Sequence, residues 1–135
     1  MQKKTEPCVA KDLYIGTYFK TNLAYAQYLG ADKIYILSAK YGILELSDEI
    51  APYNKNLNVA SRREEKIWAY SCYIQLKEKN VDFNEQAFFL GGKVYWQYLS
   101  QLFPHKNIPF AHKKNGVQVH IMRELMTNVH DNEKT

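Results

Sequence analysis

Cysteine is scarce in this chain. Cys8 and Cys72 are the only two, far apart and in no metal or redox spacing. That excludes a disulfide scaffold and, with no signal-peptide pattern, points to the reducing cytosol. Histidine is equally sparse: His105, His112, His120 and His130 form no H-E-x-x-H or other ligand spacing. No metal site and no cofactor are therefore expected. Long apolar runs are also missing; the longest fall far short of a membrane span, so no membrane partner is expected. No block of five or six like charges occurs, which excludes a basic arm. Internal repeats, low-complexity linkers, a Walker A loop, a G-x-G-x-x-G fingerprint and a G-x-S-x-G elbow are all absent. Cys72 falls on the apolar face of an expected helix, where a thiol is inert.

What is present is enough for one folded unit. The 135 residues fit a single domain spanning 1–135, with 1–10 and 127–135 expected to be poorly ordered. Hydrophobic residues make up 46%, so a core is affordable and global disorder is excluded. Tyrosine is abundant, with 11 copies beside 6 phenylalanines. Its ring is apolar and its tip polar, which suits half-buried packing and also the stacking of bases. Net charge is +4, mildly favouring an anionic partner.

Alternating patterns run along the chain. Thr17 is a candidate N-cap for a helix whose apolar positions are Phe19, Leu23, Ala26 and Leu29, stopped by Gly30. Residues 33–39 are β-branched, aromatic and apolar, the signature of a buried strand. Tyr41 to Val59 shows little periodicity and reads as a long loop stiffened by Pro52. Ser61-Arg62-Arg63-Glu64 matches the capping box of a helix running to about Lys79, with Trp68, Ala69, Cys72, Tyr73 and Leu76 inward. A second strand is expected at Gln86–Leu90. A helix from Lys93, with Tyr95, Tyr98, Leu99 and Leu102 inward, is ended by Pro104. A third strand is expected at Asn107–Phe110, and a last helix from Gly116 with Val117, Ile121 and Leu125 on one side. The order predicts an α/β fold: a three-layer, mostly parallel small sheet flanked by helices, with right-handed crossovers.

Two turns carry candidate chemistry. Ser38, Ala39, Lys40 and Gly42 end the first buried strand, delivering a hydroxyl and an ammonium group where open α/β sheets build ligand sites. Gly91, Gly92 and Lys93 end the second; glycines let the backbone approach a ligand, and free helix-start N–H groups attract anions. The alternative for each is an ordinary tight turn. In a parallel sheet both turns converge on one crevice, with Lys113, Lys114, Asn115 and Gly116 at the same edge and the 41–59 loop as its wall or lid. Such a crevice suits a phosphate-bearing ligand. Asp12, Asp48 and Glu49 are the acids placed to enter it, although exposed surface acids are the commoner role.

Taken together, four blocks resemble a known family. They are Ala10-Lys11-Asp12-Leu13-Tyr14, Ile36 to Leu44, Glu49-Ile50-Ala51-Pro52-Tyr53 and Leu90-Gly91-Gly92-Lys93-Val94-Tyr95. The family is a domain of unknown function of small bacterial and phage proteins, marked by an ILSAKYGLL-like segment, a PY pair and an AGKKY-like turn. Gly116-Val117-Gln118 through Leu125 is similar to its closing helix. The resemblance spans roughly residues 10–126 with the blocks in family order. That family is distantly similar to YaaA-type peroxide-stress proteins, which bind DNA, and to enzymes that handle nucleobases. By position, the resemblance implies functional roles for Asp12, Tyr14, Ser38, Lys40, Tyr41, Gly42, Glu49, Pro52, Tyr53, Gly91, Lys93 and Tyr95. Its members begin with a hydrophobic strand ending in serine or cysteine before a lysine-rich turn. This chain starts at that turn, Met1-Gln2-Lys3-Lys4, so the usual first strand is expected to be lacking and a sheet edge to be open to a homodimer partner.

The resulting expectation is a cytoplasmic protein acting on nucleotides or nucleic acid, in the manner of a base-handling N-glycosidase. Asp12, Ser38 and Glu49 would be catalytic. Tyr14, Lys40, Tyr41, Gly42, Pro52, Tyr53, Gly91, Gly92, Lys93 and Tyr95 would bind the ligand, with Tyr41, Tyr53 or Trp68 stacking a base. The alternatives are a non-catalytic DNA- or nucleotide-binding module and an inactive truncated remnant acting through a partner.

Overall fold

The apolar run from Tyr35 to Ser38 forms a strand, and the chain then reverses at once. In the computed structural model, which describes the backbone of residues 3 and 5–134 and the side chains of 3 and 5–127, this run is followed by a second strand at Gly42–Glu45. In chain order the elements are β1 (Cys8–Val9), α1 (Ala10–Leu13), α2 (Thr17–Tyr28), β2 (Tyr35–Ser38), β3 (Gly42–Glu45) and β4 (Glu49–Ile50). Then come α3 (Arg62–Glu78), β5 (Ala87–Phe88), α4 (Lys93–Trp96), β6 (Lys106–Asn107) and α5 (Asn115–Lys134). Short 3-10 turns occupy Leu57–Val59 and Leu99–Leu102. The fold is mixed α/β.

The strands correct the expected sheet. β2 and β3 are antiparallel, with Ser38 opposite Gly42 and Tyr35 opposite Glu45. β1 pairs antiparallel with β4, and β5 pairs parallel with β6. The described strands thus pair in twos, and no mostly parallel three-layer sheet joins them. The reason lies at Gly42. Its φ of +77° is in the left-handed region that glycine enters without strain, so the chain folds back instead of entering a crossover. The segment 41–59 is accordingly not a single loop: it contains β3 and β4. Residues 8–9, inside the 1–10 segment expected to be poorly ordered, form β1.

The hairpin is the centre of the molecule because both its faces are covered. Alternate side chains of a strand point to opposite faces. Ile36 and Leu44 pack with Ala10, Leu13, Tyr14 and Ile50 on one side. Ala39 and Ile43 pack on the other with Trp68, Ala69, Cys72 and Leu76 of α3, and with Leu57, Leu99 and Phe103. A third cluster joins α2 to α5 through Tyr25, Phe110 and Met122.

Helix signals are followed closely at α3 and less so elsewhere. The Ser61 hydroxyl accepts from the Glu64 N–H at 3.2 Å, and Trp68, Ala69, Cys72 and Leu76 are buried, with Tyr73 half-buried. Thr17 is the first helical residue of α2, and Gly16 holds the cap position without a side-chain bond. The inner residues of α2 are Thr21 and Tyr25 rather than the apolar stripe, which is half-buried. On α5, Val117 and Leu125 are exposed and Gln118 and Met122 are buried. Gln118 belongs inside because it accepts from the Tyr18 hydroxyl at 2.8 Å and donates to the Lys113 carbonyl at 2.8 Å. A buried amide is tolerated only when bonded in this way.

Candidate functional site

Ser38 ends β2 with no exposed surface, yet it is polar, so its bonds must be satisfied inside. Its hydroxyl accepts from the Tyr41 N–H at 3.0 Å and donates to the Tyr53 hydroxyl at 3.0 Å. The Tyr53 hydroxyl in turn lies 2.5 Å from that of Tyr14. The Ser38 carbonyl accepts from the Trp68 indole N–H at 2.8 Å. One serine therefore ties the β2–β3 turn, the Pro52-Tyr53 segment, α1 and α3 together.

Aromatic rings enclose this network. Tyr41 and Tyr53 meet edge to face, with centroids 5.6 Å apart at 84°. Tyr95 meets Trp68 in the same way at 5.6 Å and 82°. Two ammonium groups lie over the rings. Lys3 Nζ is 4.5 Å from the Tyr53 centroid and 5.8 Å from that of Tyr14. Lys40 Nζ is 5.2 Å from that of Tyr41. Burial pushes the Tyr14 phenol far up, reinforced by its bond to Tyr53; burial also raises Tyr95 and lowers Lys3. The Tyr14 and Tyr95 phenols stay neutral near pH 7 and act as hydrogen-bonding groups, not as phenolate bases.

The residues singled out from sequence fall into three groups. Tyr14, Ser38, Lys40, Tyr41, Gly42, Pro52, Tyr53 and Tyr95 gather at or beside the network. Pro52, Tyr53 and Tyr95 are half-buried, and Tyr95 reaches it through Trp68. Asp12 and Glu49 are exposed on neighbouring elements. The pairing of Val9 with Glu49, and an Ala10 N–H donating to the Asp48 carbonyl at 2.6 Å, bring α1 against β4. Neither carboxylate makes a hydrogen bond or ion pair among the described residues. Asp48, the third acid, caps its own turn by accepting from the Glu45 N–H at 2.8 Å. Gly91, Gly92 and Lys93 form the third group. Gly91 has φ +105°, its carbonyl accepts from the Trp96 indole at 3.2 Å, and Lys93 is exposed. Lys113 and Lys114 sit at the start of α5, whose described packing partner is α2.

Two features of this region escaped the sequence reading. One is the hydroxyl chain through Tyr14, Tyr53 and Ser38, which spans 39 positions and has no local signal. The other is Gln75, whose side chain accepts from the Ile43 N–H at 2.7 Å and donates to the Tyr41 carbonyl at 3.0 Å. A glutamine one turn from Cys72 on the buried side of α3 was the available clue. No metal-ligating cluster exists among the described residues, and no described helix is long and apolar enough to cross a membrane. Two open hollows lie away from Ser38. One of about 480 Å³ runs along α3 by Arg63, Lys66, Ile67, Tyr70 and Ser71; one of about 250 Å³ lies between α2 and α5.

The profile described as "Family of unknown function (DUF6884)" matches residues 1–124, and the chain belongs to that family. No curated protein and no solved structure matches the chain at a significant level.

Proposed function

We propose that this DUF6884 member holds a nucleotide or a single-stranded nucleic-acid segment on the tyrosine-lined face around Ser38. The observation that carries the reading is the pair of half-buried rings Tyr41 and Tyr53 beside the buried Ser38 and Tyr14 hydroxyls, with Lys3 and Lys40 over the rings. Aromatic faces stack bases without a sequence code, at about 1–3 kcal/mol per base, and ammonium groups neutralise phosphate. The Ser38 hydroxyl donates to the Tyr53 hydroxyl and has no carboxylate or imidazole in its bonding chain. That favours holding over nucleophilic attack, because an unactivated hydroxyl is a weak nucleophile.

Titration of the protein with a fluorescent oligothymidylate and with adenosine monophosphate tests this. Binding should weaken steeply with salt, by about tenfold in Lys40→Ala and in Tyr41→Ala. Equal affinity in all three proteins overturns the reading.

Base release from an N-glycosidic bond is the second reading. It is favoured by the adjacency of α1, which carries Asp12, to β4, which carries Glu49. A carboxylate of this kind stabilises a developing oxocarbenium ion or activates water. Free base released from nucleosides or DNA, and lost in Glu49→Gln or Asp12→Asn, supports it. Release that survives both substitutions, or no release at all, leaves the binding reading alone.

A further inference from the structure

The hollow between α2 and α5 is a built concavity with its own chemistry, separate from the Ser38 region. Thr17, Lys20, Thr21 and Ala24 line one wall, and Arg123 and Met126 the other. On α2 these positions recur every three or four residues, so one helix face is presented to the space. Arg123 and Met126 do the same on α5. The two helices are held in place by the Tyr18 hydroxyl donating to Gln118 and by the cluster of Tyr25, Phe110 and Met122.

The two cations are the first notable feature. Lys20 and Arg123 face one space from opposite helices, and no carboxylate is among the lining residues. Neither side chain has an ion-pair or hydrogen-bond partner among the described residues. Like charges brought together repel, and an anion between them converts that repulsion into attraction. Thr21 is the second feature. It is only 6% exposed, lines the hollow, and its hydroxyl has no hydrogen-bond partner among the described residues. The side chain is packed into the wall while its hydroxyl stays open to the hollow, free to donate to a ligand oxygen. The first turn of α2, beginning at Thr17, adds N–H groups and the positive end of a helix dipole.

We infer that this hollow binds a phosphate group, held between Lys20 and Arg123 with the Thr21 hydroxyl donating to one of its oxygens. A volume of about 250 Å³ lies below the roughly 300–1,000 Å³ of sites that enclose whole drug-sized ligands. It takes the phosphate of a small phosphomonoester and leaves the rest of the molecule in solvent. The guanidinium fork matches two phosphate oxygens at once, and the lysine contributes a point charge.

Inorganic phosphate and glycerol phosphate, titrated against isotope-labelled protein and followed by amide NMR, test the inference. Saturable shifts should be confined to the first turns of α2 and the middle of α5. Lys20→Ala and Arg123→Ala should each weaken binding roughly tenfold. Both residues are exposed, so both variants should fold. Thr21→Val should weaken phosphate several-fold while leaving thermal unfolding unchanged, because its hydroxyl bonds to nothing in the protein. Unsaturable shifts, shifts elsewhere, or wild-type affinity in both charge variants overturn the inference. So does binding of an oligonucleotide lacking a terminal phosphate where neither small phosphate binds.

Discussion

Gln75 of α3 holds the turn at Gly42 of the central hairpin. Its side-chain oxygen accepts from the Ile43 N–H, its amide donates to the Tyr41 carbonyl, and that oxygen lies 2.2 Å from where a Cβ on Gly42 would stand. Glycine is therefore required twice, by its φ of +77° and by the approach of Gln75. Gly42→Ala should destabilise by about 2–4 kcal/mol, from left-handed strain of about 1–2 kcal/mol and the loss of one or both backbone bonds. Urea denaturation of Gly42→Ala, Gln75→Ala and the double variant checks it. The two effects should be strongly non-additive, because each change releases the same bonds.

Ser38→Ala leaves the Tyr41 N–H without its acceptor and takes one of two partners from the Tyr53 hydroxyl, which keeps Tyr14. The expected loss is about 1–3 kcal/mol. Tyr53→Phe should cost a similar amount, since it takes the partner of the buried Tyr14 hydroxyl as well as the acceptor of Ser38 while keeping the ring contact with Tyr41. Chemical denaturation midpoints of the two variants check it.

Alkaline pH should destabilise the fold. Burial raises the Cys72 thiol from 9.0 to about 12, and the Tyr14 phenol moves up as well. Both groups are protonated in the native state at pH values where the unfolded chain has already lost the proton. The Cys72 contribution is whole below pH 9 and is lost as pH rises from there through about 12, and the Tyr14 contribution begins to be lost above pH 10. In that window each group lowers stability by up to about 1.4 kcal/mol per pH unit. Urea midpoints at pH 8 and pH 10.5 should differ accordingly, and Cys72→Ala should flatten the slope.

The two thiols should also separate in reactivity. Cys72 is fully buried and Cys8 half-buried. A disulfide reagent at pH 8 should modify Cys8 in the native protein and Cys72 only after unfolding. Equal rates for both would contradict the packing of α3 against the hairpin.

Ser61→Ala removes the side-chain cap of the 17-residue helix α3, and should cost about 1 kcal/mol. Ser61→Asp should restore the cap. Thermal unfolding of the two variants tests the pair.

Local chemistry by itself determined the start of α3, the strand Tyr35–Ser38 and the inward face of Trp68, Ala69, Cys72 and Leu76. Capping and periodicity act within a few residues, so a single stretch of chain carries them. It also marked most of the residues that gather around Ser38. Tertiary structure alone decided how the strands pair. Gly42 permits a reversal, and Gln75, more than thirty positions away, joins the local Ser38 hydroxyl in holding the turn as an antiparallel hairpin instead of a crossover. The same holds for the hydroxyl chain from Tyr14 to Ser38 and for Lys20 and Arg123, which line one hollow from two helices. These relations join residues distant in the chain, and no local pattern encodes them. They arise only when covering both faces of one hairpin draws α1, α3 and their neighbours together.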